Sequence, residues 1–259
     1  MAGIVGGVAV AVAIALLTPV LTPGTSTPVP AGGPTSSPTP TAGASPDQLP
    51  MTVAVAGSGA DPCGPGYLVP LSATAVPVPP DLSKAGADGR WAAEVHGVPS
   101  VQSGVTFTVQ GRSDAVVTLL GMDIEVVRRE AAPHGTHVSW VCGSGVAYRW
   151  VHVDLDAIPP RLTAQLNESE ASAAPQAERR PIRFPYQVSR TDPESFEVDA
   201  GTSRCDCSWR IRLRWTSEGR SGIYVIDDDG RPFRTVATAN ADASCQLGPD
   251  WSCGPPVKN

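Results

Sequence analysis

The most constraining feature of this 259-residue chain is a strict alternation of apolar and polar residues over 205–216. Successive side chains of a β-strand point to opposite faces of a sheet, so residues two apart share a face. Apolar residues occupy one face and arginines the other: Trp209, Ile211, Leu213 and Trp215, against Arg210, Arg212 and Arg214. The pattern predicts a strand of an antiparallel sheet with one buried and one hydrated side.

Other alternating or β-branched segments predict that the rest of the folded region is also made of strands. These segments are 105–110, 115–120, 122–128, 137–142, 149–155 and 182–188. After the alternating strand, the chain is expected to return over 222–226 and to turn at Asp229-Gly230, a pair typical of hairpins. A third strand over 231–236 would complete a β-meander.

Together these segments favour an all-β fold. We expect an antiparallel β-sandwich-like domain over 51–166 and a smaller, disulfide-stapled β-meander with a Cys-rich tail over 181–259. The interval 167–180 is rich in Ala, Glu and Ser and has no apolar stripe, so it predicts a connecting loop rather than a helix.

The first forty-six residues contain no Asp, Glu, Lys or Arg. Residues 3–21 are apolar and would span about 28 Å as a helix, close to the ~30 Å hydrocarbon core of a bilayer. We therefore expect 1–22 to be a retained transmembrane helix, with a cleaved secretory signal as the alternative. Flanking cations normally set orientation, and the first one here is Lys84, which suggests a cytoplasmic module encoded upstream.

Residues 23–50 form a linker rich in Pro, Thr and Ser. A segment of this composition cannot bury enough apolar surface to offset its ordering entropy, and its prolines favour extended polyproline II. We expect a disordered stalk that holds an extracytoplasmic domain away from the membrane.

The formal net charge is −6, which argues against a nucleic-acid partner, because such proteins carry a basic surface. The candidate partner surface is instead the arginine ladder, defined as Arg210, Arg212 and Arg214. It could bind an anionic cell-wall polymer or an envelope protein. The alternative is pairing across strands with carboxylates such as Glu197 and Asp199.

Six cysteines outside the cytoplasm predict disulfides. The candidates are Cys63, Cys142, Cys205, Cys207, Cys245 and Cys253. Sequence alone cannot select among the fifteen complete pairings that six cysteines allow. Cys63 and Cys142 are the only cysteines of the larger part, so we expect them to pair.

The remaining four cysteines lie in the meander and its tail. Cys205 and Cys207 share a strand face, and we expect each to pair elsewhere rather than with the other. Cys245 and Cys253 could staple the tail to them, while a local Cys245–Cys253 bond is the alternative. The Cys-x-Cys spacing does not match the usual zinc motif, so no metal site is predicted.

No segment carries a recognisable catalytic signature, and no cofactor is predicted. We expect a membrane-anchored domain that binds or senses a ligand at the cell envelope rather than an enzyme. A structural or adhesive surface protein is the second hypothesis. A secreted hydrolase is the third, because the sequence shows no nucleophile–base or metal constellation.

Several short motifs resemble those of single-anchor extracytoplasmic β-domain proteins of high-GC Gram-positive bacteria. They are Asp61-Pro62-Cys63, Val141-Cys142-Gly143, Val153-Asp154-Leu155-Asp156, Cys205-Asp206-Cys207-Ser208-Trp209 and Gly230-Arg231-Pro232-Phe233. They cover residues 51–240 thinly, and none is a catalytic signature. The resemblance implies an envelope location and carries over no active-site residue.

Overall fold

The structure, a computed structural model, describes residues 49–60, 65–80, 87–141, 149–167 and 180–257. The expected anchor (1–22), nearly all of the stalk, most of the 167–180 connection and two cysteines, Cys63 and Cys142, lie outside these residues. Within the described part, no helix is both long and apolar enough to cross a membrane.

The described chain is nearly all-β. Its one helix is α1 (Ala87–Glu94). Its strands are β1 (Met51–Gly59), β2 (Tyr67–Val69), β3 (Val98–Pro99), β4 (Gln102–Gly111), β5 (Val117–Ala131), β6 (Gly135–Trp140), β7 (Arg149–Asp154), β8 (Arg161–Leu166), β9 (Tyr186–Val188), β10 (Glu194–Gly201), β11 (Cys205–Ser217), β12 (Arg220–Ile226), β13 (Phe233–Val236), β14 (Ala241–Leu247) and β15 (Trp251–Gly254).

The strands form three five-stranded sheets. The first has the order β1-β4-β10-β7-β8, and the second has the order β12-β11-β5-β9, with β13 also paired to β11. The third has the order β15-β14-β6-β2-β3. The sheets are not wholly antiparallel as expected, because β7 pairs with β10, and β6 with β14, in parallel.

The intervals 51–166 and 181–259, expected to be two parts, interleave in all three sheets. Strand β10 lies between β4 and β7, β11 pairs with β5, and β14 pairs with β6. The boundary between the intervals is therefore not a boundary between sheets. The sequence could not show this, because periodicity reports which face of a strand is buried and not which strand lies beside it.

The first and second sheets share one large core, with β11 as its central element. The predicted face assignment is confirmed: Trp209, Ile211 and Leu213 are fully buried, and Trp215 is nearly so. The Trp209 indole Nε1 donates a hydrogen bond of 3.0 Å to Thr235 Oγ1, which satisfies its one buried donor. Phe107 of β4 stacks on Phe196 of β10 in the same core.

Strand β5 corrects one prediction. The sequence suggested two strands, 115–120 and 122–128, separated by Gly121, but β5 continues through Gly121 as a single strand. A Cβ at Gly121 would lie 2.3 Å from Arg214 Nη2. The glycine therefore makes room for the arginine, whose Nε reaches Asp123 Oδ2 at 2.9 Å.

The expected β-meander is also wrong. Strands β12 and β13 both pair antiparallel with β11, at Ile211–Ser217 and Asp206–Trp209 respectively, so they run in the same direction along one edge. Residues 227–232 loop out between them, and the Asp-Gly turn reverses the chain only locally. We call this excursion the tip loop.

A second, smaller core lies under the third sheet. It contains Tyr67, Val69, Val138 and Cys245 from strands and Trp91 from α1. The sequence analysis did not predict α1. Its signal was present but weak: Trp91, Ala92 and Val95 lie one and four positions apart, as on one face of a helix.

Candidate binding cleft

An open cavity of about 440 Å³ lies where the small core meets the first two sheets. One wall is α1 and the turn that follows it, with Ala92 and Gly97 in the lining. The opposite wall is the tip loop and the start of β13. The ends of β1, β2 and β4 complete the lining of the cavity. The elements that line it come from distant parts of the chain.

The helix wall is held in place by Tyr67. Its hydroxyl donates a 3.1 Å hydrogen bond to Asp88 Oδ2 in the first turn of α1. Burial, and next the charge of Asp88, raise the pKa of Tyr67, so its hydroxyl stays protonated. The ring packs edge-on against Trp91 and Trp140, with centroids 6.4 and 6.1 Å away.

The helix ends in a left-handed turn beside the cleft. His96 has φ of 55°, and the Gly97 amide donates to the Ala92 carbonyl at 2.7 Å. This pattern caps the last carbonyls of a helix. Gly97 also approaches Val69 closely, since a Cβ there would lie 3.2 Å from Val69 Cγ1.

The tip-loop wall is braced by Arg210, which connects the arginine ladder to the cleft. Its Nε lies 3.3 Å from Asp227 Oδ2, and its Nη2 donates to the Gly230 carbonyl at 3.3 Å. Asp227 Oδ1 in turn accepts the Gly230 amide at 2.9 Å. Arg210 was predicted to face a partner, but the structure places it as a brace for the loop.

At the mouth of the cleft the tip loop presents charges of both signs. Arg231 Nη2 pairs with Asp228 Oδ2 at 2.9 Å, and their side chains are 77% and 44% exposed. An ion pair this exposed contributes little to stability, because water screens both charges. Breaking this pair therefore costs little free energy, so the guanidinium and the carboxylate can each bind a ligand group instead.

Arg234 lines the cleft from β13 and is held rigidly. Its Nε and Nη2 donate to the two carboxylate oxygens of Asp206 at 2.8 and 2.6 Å. The hydrogen bonds that Arg234 donates to Asp206, which is only 3% exposed, raise the pKa of the guanidinium. The bidentate pair fixes the plane of the guanidinium, and its remaining N–H groups are not used by Asp206.

Two glycines leave room in the lining. In the direction in which a Cβ would point from Gly89 or Gly104, no atom lies within 4 Å. Gly104 lies on β4 opposite Gly59 of β1, which also lines the cleft. The lining therefore has open space at both positions, which a larger side chain would fill.

The rest of the arginine ladder lies beside a carboxylate on a neighbouring strand, as the alternative hypothesis of cross-strand pairing predicted. The carboxylate is not Glu197 or Asp199, the two residues suggested from the sequence. Arg214 pairs with Asp123 on β5, and Arg212 lies opposite Asp123 in the same sheet. Glu197 and Asp199 belong to β10 in the first sheet. The cross-strand neighbours of β11 could not be identified from sequence, because they come from a distant strand: Asp123 lies 91 positions before Arg214.

The described cysteines correct the expected pairing. Cys205 bonds to Cys207, and Cys245 bonds to Cys253. Cys205 and Cys207 can bond to each other although they lie on one strand, because their Cα atoms are 5.4 Å apart, within the span of a disulfide. The tail is closed by the local bond that the sequence analysis held as the alternative. The Asp206 side chain that orients Arg234 lies between the first two cysteines.

Two further polar clusters lie away from the cleft. The Asp156 carboxylate accepts hydrogen bonds from Thr202 Oγ1 at 2.6 Å and from the Ser203 amide at 2.8 Å. Arg149 pairs with Glu194, which also accepts from the Tyr186 hydroxyl. Burial and then Glu194 raise the pKa of Tyr186 to about 12. Both clusters join strands and open onto no cavity described here.

Among the described residues, no group of three or more His, Cys, Asp or Glu side chains is placed to hold a metal ion. Comparison with known proteins gives no further lead: no family model, no curated protein and no solved structure matches the chain. The chemistry of the cleft must therefore be inferred from its own residues.

Proposed function

We propose that this chain is an extracytoplasmic binding or sensing domain at the cell envelope and that the cleft is its ligand site. Residues 3–21 would anchor it in the membrane and 23–50 would form its stalk. In this proposal, the first two sheets are a β-sandwich-like scaffold, and the walls of the cleft are the helix α1 and the tip loop.

The cleft itself is the observation that carries the proposal. Ligand sites are typically concave, of about 300–1,000 Å³, with an apolar lining and a few convergent polar groups. Here the charged residues of the lining are Arg231, Asp228 and Arg234, and Gly104 leaves open space beside them. Donors and acceptors of both charges suit a small, polar, hydrogen-bonding ligand that bears a carboxylate, as soluble fragments of cell-wall peptidoglycan do.

The arginine ladder favours a second candidate partner. Arg212 is half-buried and Arg214 is exposed on the hydrated face of β11, and an anionic cell-wall polymer could bind there. Pairing with Asp123 reduces the net charge that such a polymer would meet. The cleft is therefore the better-supported site, and the ladder is the alternative that the test must distinguish.

Calorimetric titration of the purified full chain with soluble peptidoglycan fragments tests the proposal. Gly104→Val should abolish binding, because its side chain would enter open space in the cleft. Arg231→Ala should weaken binding about ten- to a hundredfold, as expected for one lost hydrogen bond to a charged group.

The matched control is Arg212→Ala, which removes an arginine from the ladder and leaves the cleft lining intact. It should bind as the unaltered protein does. If Arg212→Ala weakens binding and Gly104→Val does not, the ladder is the binding surface. If no fragment binds to the unaltered protein, the proposed ligand class is wrong.

A further inference from the structure

The outer edge of the first sheet differs from every other sheet edge that the structure describes. Its terminal strand, β1, has nine residues, with no charged residue and no proline. The other terminal strands have two to seven residues, and the two longest, β8 and β12, each begin with an arginine. Proteins normally protect an edge by shortness, charge or proline, because unpaired backbone groups invite another strand.

The backbone groups that β1 offers follow from its pairing with β4. The Arg112 amide donates to the Pro50 carbonyl at 2.8 Å, and the register then places Met51 opposite Gly111. In an antiparallel pair, residues alternate between facing the partner strand and facing away. The amides and carbonyls of Met51, Val53 and Val55 therefore point away from β4, up to the bulge that follows Val55.

The side chains of the same three residues share one face of β1. Met51 is buried in the large core, and Val53 packs against that core. Val55, the third, is 42% exposed. The side of β1 that faces the core therefore extends beyond it and leaves a partly exposed apolar residue beside backbone groups that pair with no other described strand.

We infer that β1 pairs with β1 of a second copy of this chain, antiparallel and centred on Val53. In this register Val53 lies opposite Val53, and Met51 lies opposite Val55 of the other copy. All three outward-facing residues then find a partner, and each such pair exchanges two N–H···O bonds. No like charges meet, because the strand carries none, and both exposed valines at position 55 become covered.

A second copy suits this edge because an identical strand brings no charge and no proline into the pair, and because it presents the same partly exposed Val55. The two Met51 residues would lie about 14 Å apart along the paired strands. The chains that precede them would therefore start close together, as two anchors in one membrane require. Met51 O already receives Arg112 Nε at 3.4 Å, a weak contact that the pairing would replace.

Sedimentation equilibrium of the purified full chain in detergent tests this register. Thr52 and Ala54 are exposed on the other face of β1 and would lie opposite each other across the two-fold axis. Thr52→Lys with Ala54→Lys creates two like-charge pairs and should raise the dimer dissociation constant roughly tenfold. Thr52→Glu with Ala54→Lys creates two opposite-charge pairs and should lower it.

The matched control places the same charges on the edge of the second sheet, as Ser221→Lys with Ile223→Lys on β12. This control should leave the dissociation constant unchanged, and all variants should keep the melting temperature within about 2 °C. A monomer at every concentration overturns the inference. So does a dimer that responds equally to both charge patterns on β1, or one that only the β12 variant weakens.

Discussion

The two cores of the molecule are built in different ways. The large core between the first and second sheets is filled from long strands, and most of its buried residues lie at alternate positions of β4, β5, β10 and β11. The small core is assembled from short elements: two residues of β2, one side of α1, β6 and the start of the C-terminal tail. The large core provides a scaffold, and the small core forms one wall of the cleft.

This difference separates the scaffold of the molecule from one wall of the cleft. A core of long strands is cooperative, because each strand is paired over many residues and buries one whole face. A core of short elements depends on single contacts, such as the Tyr67–Asp88 hydrogen bond and the Cys245–Cys253 disulfide. Regions with fewer supporting contacts are where ligand-binding walls are usually found.

The largest expected effect lies in the large core. Trp209→Ala should lower the free energy of unfolding by about 3–5 kcal/mol, because it leaves a cavity in a fully buried site and removes the hydrogen bond to Thr235. Chemical denaturation followed by fluorescence measures this. A loss below about 1 kcal/mol would show that the large core tolerates cavities, and the contrast between the cores would fail.

The disulfides should rank next, and the one in the small-core region should matter more. Cys245–Cys253 closes a separation of eight residues, and Cys205–Cys207 a separation of two. The loop-entropy relation gives losses of about 2.5 and 1.2 kcal/mol on replacing each pair with serine. Denaturation of the two double variants measures the difference. The reverse order would mean that Cys205–Cys207 supports the position of Asp206 more than its short loop suggests.

The two regions should also respond to acid at different pH. Burial lowers the pKa of His137 on β6, even though its hydrogen bond to the Pro65 carbonyl opposes this. The unfolded chain therefore binds a proton near its ordinary pKa of 6.5 while the folded chain does not, so stability falls as pH drops below 6.5. Melting curves should show this loss, and His137→Gln should remove it.

Asp156, beside the large core, should respond only at lower pH. Burial raises its pKa, but hydrogen bonds from Thr202 and Ser203 and the charge of Arg204 outweigh burial and lower it. Stability from this carboxylate is complete above the ordinary pKa of 3.8 and is lost as pH falls from there through the folded value. Comparing the pH dependence of stability of the unaltered protein and Asp156→Asn measures this contribution. If the contribution of Asp156 were already lost above pH 5, its pKa would not be lowered by folding.

The smallest effect is expected on the hydrated face of β11. Arg212→Ala should change the free energy of unfolding by no more than roughly 0.5 kcal/mol, as substitutions away from buried contacts usually do. Urea denaturation of this variant gives the value. A loss several times larger would show that the arginine face is packed, and that the second sheet carries part of the stability assigned to the large core.

The predictability of the fold follows the same division. The faces of β11, and strands within β4, β6 and β7, could be predicted, because a period of two records burial directly in the sequence. The continuity of β5 through Gly121 could not, since a glycine that makes room for Arg214 looks the same as one that ends a strand. The tip loop was misread because Asp-Gly signals a turn without showing where the next strand pairs.

The candidate site could hardly be predicted. Its arginines were visible, and Gly230-Arg231-Pro232-Phe233 was noted as a motif, but the cleft exists only because Tyr67, α1 and the tip loop meet. The tip loop is separated from Tyr67 and α1 by well over one hundred residues, and nothing local in the sequence records such a meeting. The anchor and the stalk stay predictions, because they concern residues outside the described structure.

Amide hydrogen exchange of the full chain, with and without soluble peptidoglycan fragments, tests the central proposal most directly. If the cleft binds a ligand, protection should increase at 87–99 and 227–234, the two walls, while 205–217 in the centre of the scaffold stays unchanged. Protection confined to the arginine ladder and its neighbours on β5, with no change at either wall, would contradict a binding site in the cleft.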